Sequence, residues 1–198
     1  MRMRMLAASN RQQKAQEVVH HDGARLPFVF TRPAASPYQE TLFMTTASTP
    51  QLSFLATFSV SVGPPHEIGP TVEGVRRVIP ILGGSVQGPQ LNGSILPMGA
   101  DYQLLVSDTL TELDAKYAIE VEGGERIYVT SLGVRSGEAA DIARLVRGEP
   151  VDPERIYFRC TQRLVSAGPT WSWLADRILV GTGRRLRDQV EIDVFVVE

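Results

Sequence analysis

A single cysteine, Cys160, serves a chain of 198 residues, which excludes an intrachain disulfide and any cysteine-based zinc site. It sits between Arg159 and Thr161 in a strand-like run, where a small buried residue is a better reading than a nucleophile. No apolar run approaches the ~18 residues that cross a bilayer as a helix, and the N-terminus lacks the hydrophobic region of a secretory signal. A cytoplasmic protein without a membrane partner is expected. Positive charge is also in short supply: residues 51–198 carry 14 basic and 19 acidic side chains, which argues against a nucleic-acid-binding face. Neither a phosphate-cradling G-x-x-x-x-G-K nor an H-E-x-x-H zinc motif occurs. GTGRRL from Gly181 lacks the third glycine of a dinucleotide fingerprint, and GGSVQG around Ser85 has the wrong spacing for a nucleophile elbow. Neither a cofactor nor a metal is therefore expected. His20, His21 and Asp22 lie in an unpatterned segment without a scaffold to fix ligand geometry, and read as solvated. His66 reads as loop surface.

The length suits one well-buried core, since single domains mostly hold ~100 to 200 residues. Residues 1–50 read as an irregular N-terminal extension and 51–198 as the folded domain. The first 16 residues hold four basic and no acidic side chains, a bias shared with mitochondrial targeting segments; an upstream extension or a misassigned start is the plainer account. Residues 25–44 are rich in Pro, Thr and Ser, and removing 1–43 is expected to cost little stability.

From Leu52 the pattern becomes regular. Phe54, Ala56, Phe58, Val60 and Val62 alternate with Ser53, Thr57, Ser59 and Ser61, as a half-buried strand requires. Between Val75 and Gln103, Gly83-Gly84, Gly88-Pro89, Asn92-Gly93 and Gly99 punctuate short β-branched runs, the signature of a meander. Further strands are expected near 91–96, 101–106, 112–121, 126–131, 155–164, 177–182 and 190–197. One helix is expected, capped by Ser136, with Ala139, Ile142, Leu145 and Val146 at helical spacing and Gly148 and Pro150 as the stop. About nine strands and one short helix give a mainly β chain, a single antiparallel β-barrel-like domain. The last strand is apolar on both sides through Phe195, Val196 and Val197; read as an edge, it predicts a homodimer.

Several polar residues recur beside the apolar ladder. On 155–164 the odd positions Arg155, Tyr157, Arg159, Thr161 and Arg163 oppose Ile156, Phe158, Cys160 and Leu164. That side either faces solvent or looks into a barrel mouth. In a mouth, Arg159 would bind an enolate, phenolate or carboxylate through its planar fork of donors, and a desolvated Asp101 would serve as acid or base. Trp171 and Trp173 either close a barrel end or form a ligand platform.

The runs GVRRVIPILGGSVQGPQLNGSILPMGADYQ, ELDAKYAIEVEGGERIYVTSLGVR, GEPVDPERIYFRCTQR and WSWLADRILVGTGRR resemble domain-of-unknown-function family 3237, also called uncharacterised protein family 0311. The resemblance runs from about Leu52 to Glu198. It implies a compact, mainly antiparallel β-barrel that often self-associates, with no general activity established. The family's G-x-R-R-x-x-P-I-x-G-G falls on Gly74, Arg76, Arg77, Pro80, Ile81, Gly83 and Gly84, its G-A-D-W/Y-Q on Gly99 to Gln103, and its Y-F-R on Tyr157 to Arg159. Three departures stand out: Met98 replaces a glycine, Leu164-Val165-Ser166 replaces an aromatic-acidic-hydroxyl run, and Ala175 replaces an asparagine. Loss of that acidic residue leaves Asp101 as the first carboxylate to consider.

Pattern and resemblance together nominate Asp101 and Arg159 as catalytic, and Arg76, Gln103, Tyr117, Arg135, Tyr157 and Trp173 as substrate-binding, all in one concavity. The reading they support is a small-molecule-binding barrel: a cofactor-independent isomerase, cyclase or lyase for an oxygenated aromatic or polyketide-like metabolite. The alternatives are a non-catalytic ligand carrier and an oligomeric scaffold.

Overall fold

A computed structural model describes residues 47–198; the expected extension, its basic leader and the His20–Asp22 cluster lie outside the described residues. Among the described residues ten strands and one α-helix follow in order: β1 (Leu52–Val62), β2 (His66–Thr71), β3 (Gly74–Gln87), β4 (Gly93–Ile95), β5 (Ala100–Leu105), β6 (Leu110–Val121), β7 (Arg126–Gly137), α1 (Ala139–Val146), β8 (Ile156–Ser166), β9 (Leu179–Arg185) and β10 (Gln189–Val197). Eight of them, β1, β3 and β5–β10, close an antiparallel barrel, with β10 beside β1 and β1 returning to β3. β4 prolongs the lane of β5 between β3 and β6, and β2 pairs with the first half of β3.

Three local expectations give way to tertiary pairing. Gly83 and Gly84 do not end a strand; β3 runs through them at φ of 129° and 141°. A Cβ on Gly84 would stand 2.0 Å from the Ser59 carbonyl oxygen, so glycine here lets β3 bend across β1 and shut the barrel. Ser136 does not cap the helix. It lies in β7, which keeps pairing with β8 as far as Gly137 and Ile156, so α1 begins after Glu138 without a side-chain cap. His66, expected on a loop, opens strand β2 instead.

The last strand is not an edge, because β10 is paired to β1 on one side and to β9 on the other. Its apolar character on both sides reflects a wall strand whose Ile192, Val194 and Val196 face the core.

Strand alternation divides inside from outside. Phe58, Ile81, Val86, Ile95, Ile119, Ile127, Val129, Leu164, Leu179 and Val194 join one apolar cluster. Inward polar residues concentrate at other levels: Asp101, Ala115, Ser131 and Gln162 sit side by side across β5–β8, and Thr111, Arg135 and Phe158 across β6–β8. Helix α1 packs Ile142 and Leu145 with Val151 and Ile156 as a second, small cluster. Trp171 and Trp173 pack against the main cluster, and Glu125 secures their loop by accepting from Ser166 Oγ and from the Trp171 N–H at 3.0 Å. Ser166 holds the Glu125 carboxyl below the usual carboxylate range.

Candidate functional site

The barrel interior keeps a cavity bordered by Ile79, Asp101, Gln103, Tyr117, Arg135 and Arg185, among others. It offers about 40 Å³ to the centres of water-sized molecules, room for a few waters given the ~10–15 Å³ one requires. Missing side chains shape it. A Cβ on Gly183 would stand 2.5 Å from the Phe158 ring, and one on Gly181 would stand 2.9 Å from Cys160 Sγ. Two bare positions on β9 therefore admit the side chains that β8 sends inward.

Gln103 is 4 % exposed and organises the polar wall. Its Nε2 donates to Asp101 Oδ2 at 2.5 Å, while its Oε1 accepts from Arg77 Nε at 2.9 Å. Arg77 reaches further to the Val146 carbonyl of α1 at 3.4 Å, tying the helix to the cavity wall. Asp101 Oδ1 is enclosed and has no partner among the described residues. Burial lifts the Asp101 carboxyl above the usual carboxylate range, outweighing the Gln103 hydrogen bond, the positive charge of Arg135, the Asp114 backbone N–H and the charge of Arg77.

Arg135 is 2 % exposed, and its Nε and Nη2 donors also lack partners among the described residues. Burial, with Arg77 nearby, brings its guanidinium down to about 10, so it stays charged at neutral pH. The Tyr117 hydroxyl is equally unpartnered, and burial pushes it well above the usual phenol range. Two guanidinium groups, of Arg135 and Arg185, thus border the cavity with one carboxylate, while Arg77 lies behind Gln103 and reaches Glu67 at 4.0 Å. Unmet buried donors, a free carboxylate oxygen and surplus positive charge together form a polar end to an otherwise apolar chamber.

The eight nominated residues do not converge. Asp101, Gln103, Tyr117 and Arg135 border the cavity. Arg76, Tyr157 and Arg159 line a second, open concavity of 1070 Å³ on the outside of the wall, beside Tyr102, Leu132 and Val134. Trp173 borders neither. Of the two readings open for the odd face of β8, the solvent-facing one holds: Tyr157 and Arg159 are exposed while Phe158 and Cys160 point inward. Arg159 lies over the Tyr157 ring, 5.1 Å from its centroid, and donates to the Phe158 carbonyl. Asp101 and Arg159 therefore stand on opposite sides of the sheet.

The DUF3237 family, proteins of unknown function, matches residues 50–197. This chain belongs to that family. A UPF0311 protein of Rhodopseudomonas palustris is 42% identical over 147 residues, 74% of this chain and 96% of the relative. A UPF0311 protein of Clostridium acetobutylicum is 33% identical over 142 residues, 71% of this chain and 90% of the relative. Among solved structures, a β-barrel-like protein of Acinetobacter baumannii superposes with a TM-score of 0.68 at 37% identity, covering 78% of this chain and 99% of its own. An enzyme from Penicillium herquei shares the fold at a TM-score of 0.57 and 19% identity, covering 77% of this chain and 97% of its own; at that identity the likeness concerns the fold alone.

Two residues of this DUF3237 chain were not nominated from the sequence: Arg185, which borders the cavity, and Arg77, which holds the cavity residue Gln103. Arg77 shares its strand parity with Ile79 and Ile81, both buried, and that phase was the available signal favouring it over Arg76. Arg185 follows Leu179, Gly181 and Gly183 at the same parity, but the glycines conceal the alternation. Among the described residues no three His, Cys, Asp or Glu side chains gather as metal ligands.

Proposed function

We propose that this chain is a cytoplasmic, cofactor-independent enzyme of the isomerase, cyclase or lyase kind, which moves a proton on a small oxygenated molecule held inside the barrel. One observation carries the reading: Asp101 borders the cavity, has an enclosed carboxylate oxygen without a partner among the described residues, and holds its proton more tightly than an ordinary aspartate. A base of that kind removes a proton from carbon beside a carbonyl, or from a phenol, and returns it elsewhere on the same molecule. The resulting oxyanion needs fixed donors in a dry site. Arg135 supplies unpartnered N–H groups and Tyr117 an unpartnered hydroxyl at the same cavity. Gln103 acts as a positioning residue, since its amide holds Asp101 Oδ2 and leaves Oδ1 free. An aromatic or polyketide-like metabolite would insert only its enolisable or phenolic end, given the 40 Å³ within.

The reaction leaves a trace that requires no knowledge of the natural substrate. Slowly enolising ketones, such as cyclohexanone, levulinate and methyl levulinate, are incubated with the protein in D2O and followed by proton NMR. Deuterium should enter beside a carbonyl faster than in buffer, and Asp101→Asn should abolish the gain while remaining folded. Binding of these compounds without exchange in the wild-type protein would favour the carrier. Exchange unaffected by Asp101→Asn would remove Asp101 from the chemistry.

A further inference from the structure

The shape of the unmet donors on Arg135 narrows the ligand further. Nε and Nη2 are the two nitrogens on one long edge of the guanidinium, so their N–H bonds point the same way, nearly parallel. Both are buried without a partner among the described residues, on a side chain that borders the cavity and is 2 % exposed. Two parallel donors on a planar edge match the two oxygens of a carboxylate, whereas a single carbonyl or phenol oxygen fills only one of them.

Neighbouring groups do not fill that edge. Arg77 is engaged by Gln103 Oε1 and the Val146 carbonyl, and Arg185 donates to the Gln189 carbonyl at 3.1 Å. Asp101, the carboxylate bordering the cavity, is held by Gln103 through Oδ2 and keeps Oδ1 free without pairing to Arg135. A direct Asp101–Arg135 pair would have satisfied both groups. The cavity is instead bordered by a residue with a free acceptor, Asp101, and a residue with a free two-pronged donor edge, Arg135.

We infer that the barrel's ligand is an organic carboxylate, seated two-pronged on the Nε/Nη2 edge of Arg135, with the remainder of the molecule turned toward Asp101. This rests on the interior site proposed above and adds the charged group by which the ligand is recognised. An oxo acid fits the arrangement: the carboxylate engages Arg135, and the carbon beside its ketone comes within reach of Asp101. A bound carboxylate joins Asp101 opposite the two guanidiniums, of Arg135 and Arg185, that border the cavity.

The test measures melting temperature and calorimetric affinity with levulinate, acetate, benzoate and malonate, against methyl levulinate and sodium chloride at equal concentration. At least one carboxylate should raise the melting temperature of the wild-type protein by several degrees through mass action, while the neutral ester and chloride should not. Arg135→Lys keeps the charge and loses the fork; Arg135→Gln removes an unpaired buried charge and should fold readily. Both should weaken carboxylate binding at least about tenfold, a loss of roughly 1.4 kcal/mol. Arg185→Gln, which lowers the local charge but leaves the fork intact, should retain most of the effect. No shift with any of the four acids overturns the inference, as does a shift that survives in Arg135→Lys or is matched by methyl levulinate. Exchange of methyl levulinate through Asp101 without carboxylate binding would leave the proton-transfer reading standing alone. Carboxylate binding at Arg135 without any exchange would do the reverse.

Discussion

Gln103 joins Asp101 to Arg77, accepting from one and donating to the other, so a single amide fixes a carboxylate and a guanidinium inside the barrel. Replacing Gln103 by Leu strips Arg77 Nε and Asp101 Oδ2 of these partners at once. Buried polar groups left unsatisfied cost ~1–3 kcal/mol each, more when charged, so Gln103→Leu should lose about 3 kcal/mol in denaturant melts. A loss below 0.5 kcal/mol would mean that the amide link contributes nothing.

Asp101 allows a prediction with a definite sign. Its carboxyl is raised in the folded state, so the protonated acid is favoured there. The associated stability is complete below the unfolded value of ~3.9 and is lost as pH rises through the raised folded value. Asp101→Asn removes that loss. The variant should match the wild type near pH 3.5 and exceed it at pH 7. Melting temperatures of both proteins across that range decide the matter, and a less stable variant at pH 7 would contradict it.

Gly183 is constrained by space and not by an unusual backbone angle, since a Cβ there would strike the Phe158 ring. Gly183→Ala should cost about 2 kcal/mol, as overpacking of a filled core does. Adding Phe158→Leu should recover part of it, and a double-mutant cycle measures the coupling. Gly123, where a Cβ would meet open space at φ +97°, separates the two effects: Gly123→Ala should show backbone strain alone.

The barrel was legible because its determinants are local and periodic. Alternation in 112–121 and 155–164 matches β6 and β8 face for face, and Cys160 is buried as its neighbours imply. The misread positions depend on contacts distant in sequence. Gly83 and Gly84 look like a turn until β1 crosses them, and Ser136 looks like a cap until β8 claims its strand. The site was legible in part for the same reason. Asp101, Gln103, Tyr117 and Arg135 lie in phase with apolar neighbours, whereas Arg159 and Tyr157 share a strand with buried residues but occupy its other side. Resemblance alone could not tell Arg76 from its neighbour Arg77, because both fall in the family's motif; parity could.

A chain beginning at Ala47 should fold as the full-length protein does, because β1 to β10 close on themselves within residues 52–197. Thermal melts of the two forms should agree within about 2 °C, no more than the shift expected for 1 kcal/mol in a domain of this size. A broad, non-cooperative transition in the shorter chain would show that residues before Ala47 complete the core.

Self-association is expected through the outer wall, since no edge of β10 is free. Leu132, Tyr157 and Tyr102 are each about half exposed on the open concavity, and Val134 is 39% exposed. The same face carries Arg76 and Arg159 alongside Glu112 and Asp114. A patch holding both signs around apolar side chains can meet its own copy across a two-fold axis, each cation facing the partner's anion. A second copy is therefore the expected occupant, and light scattering at micromolar concentration should return twice the 21.8 kDa chain mass. Leu132→Glu places a charge in the centre of that patch, on the opposite side of the wall from the cavity, and should yield a folded monomer with the melting profile of a β-barrel. A monomeric wild type would defeat the expectation, and so would a dimer that survives Leu132→Glu unchanged. A dimer lost together with the fold would instead mean that Leu132 supports the wall itself, and Val134→Lys on the same face would then decide between the two.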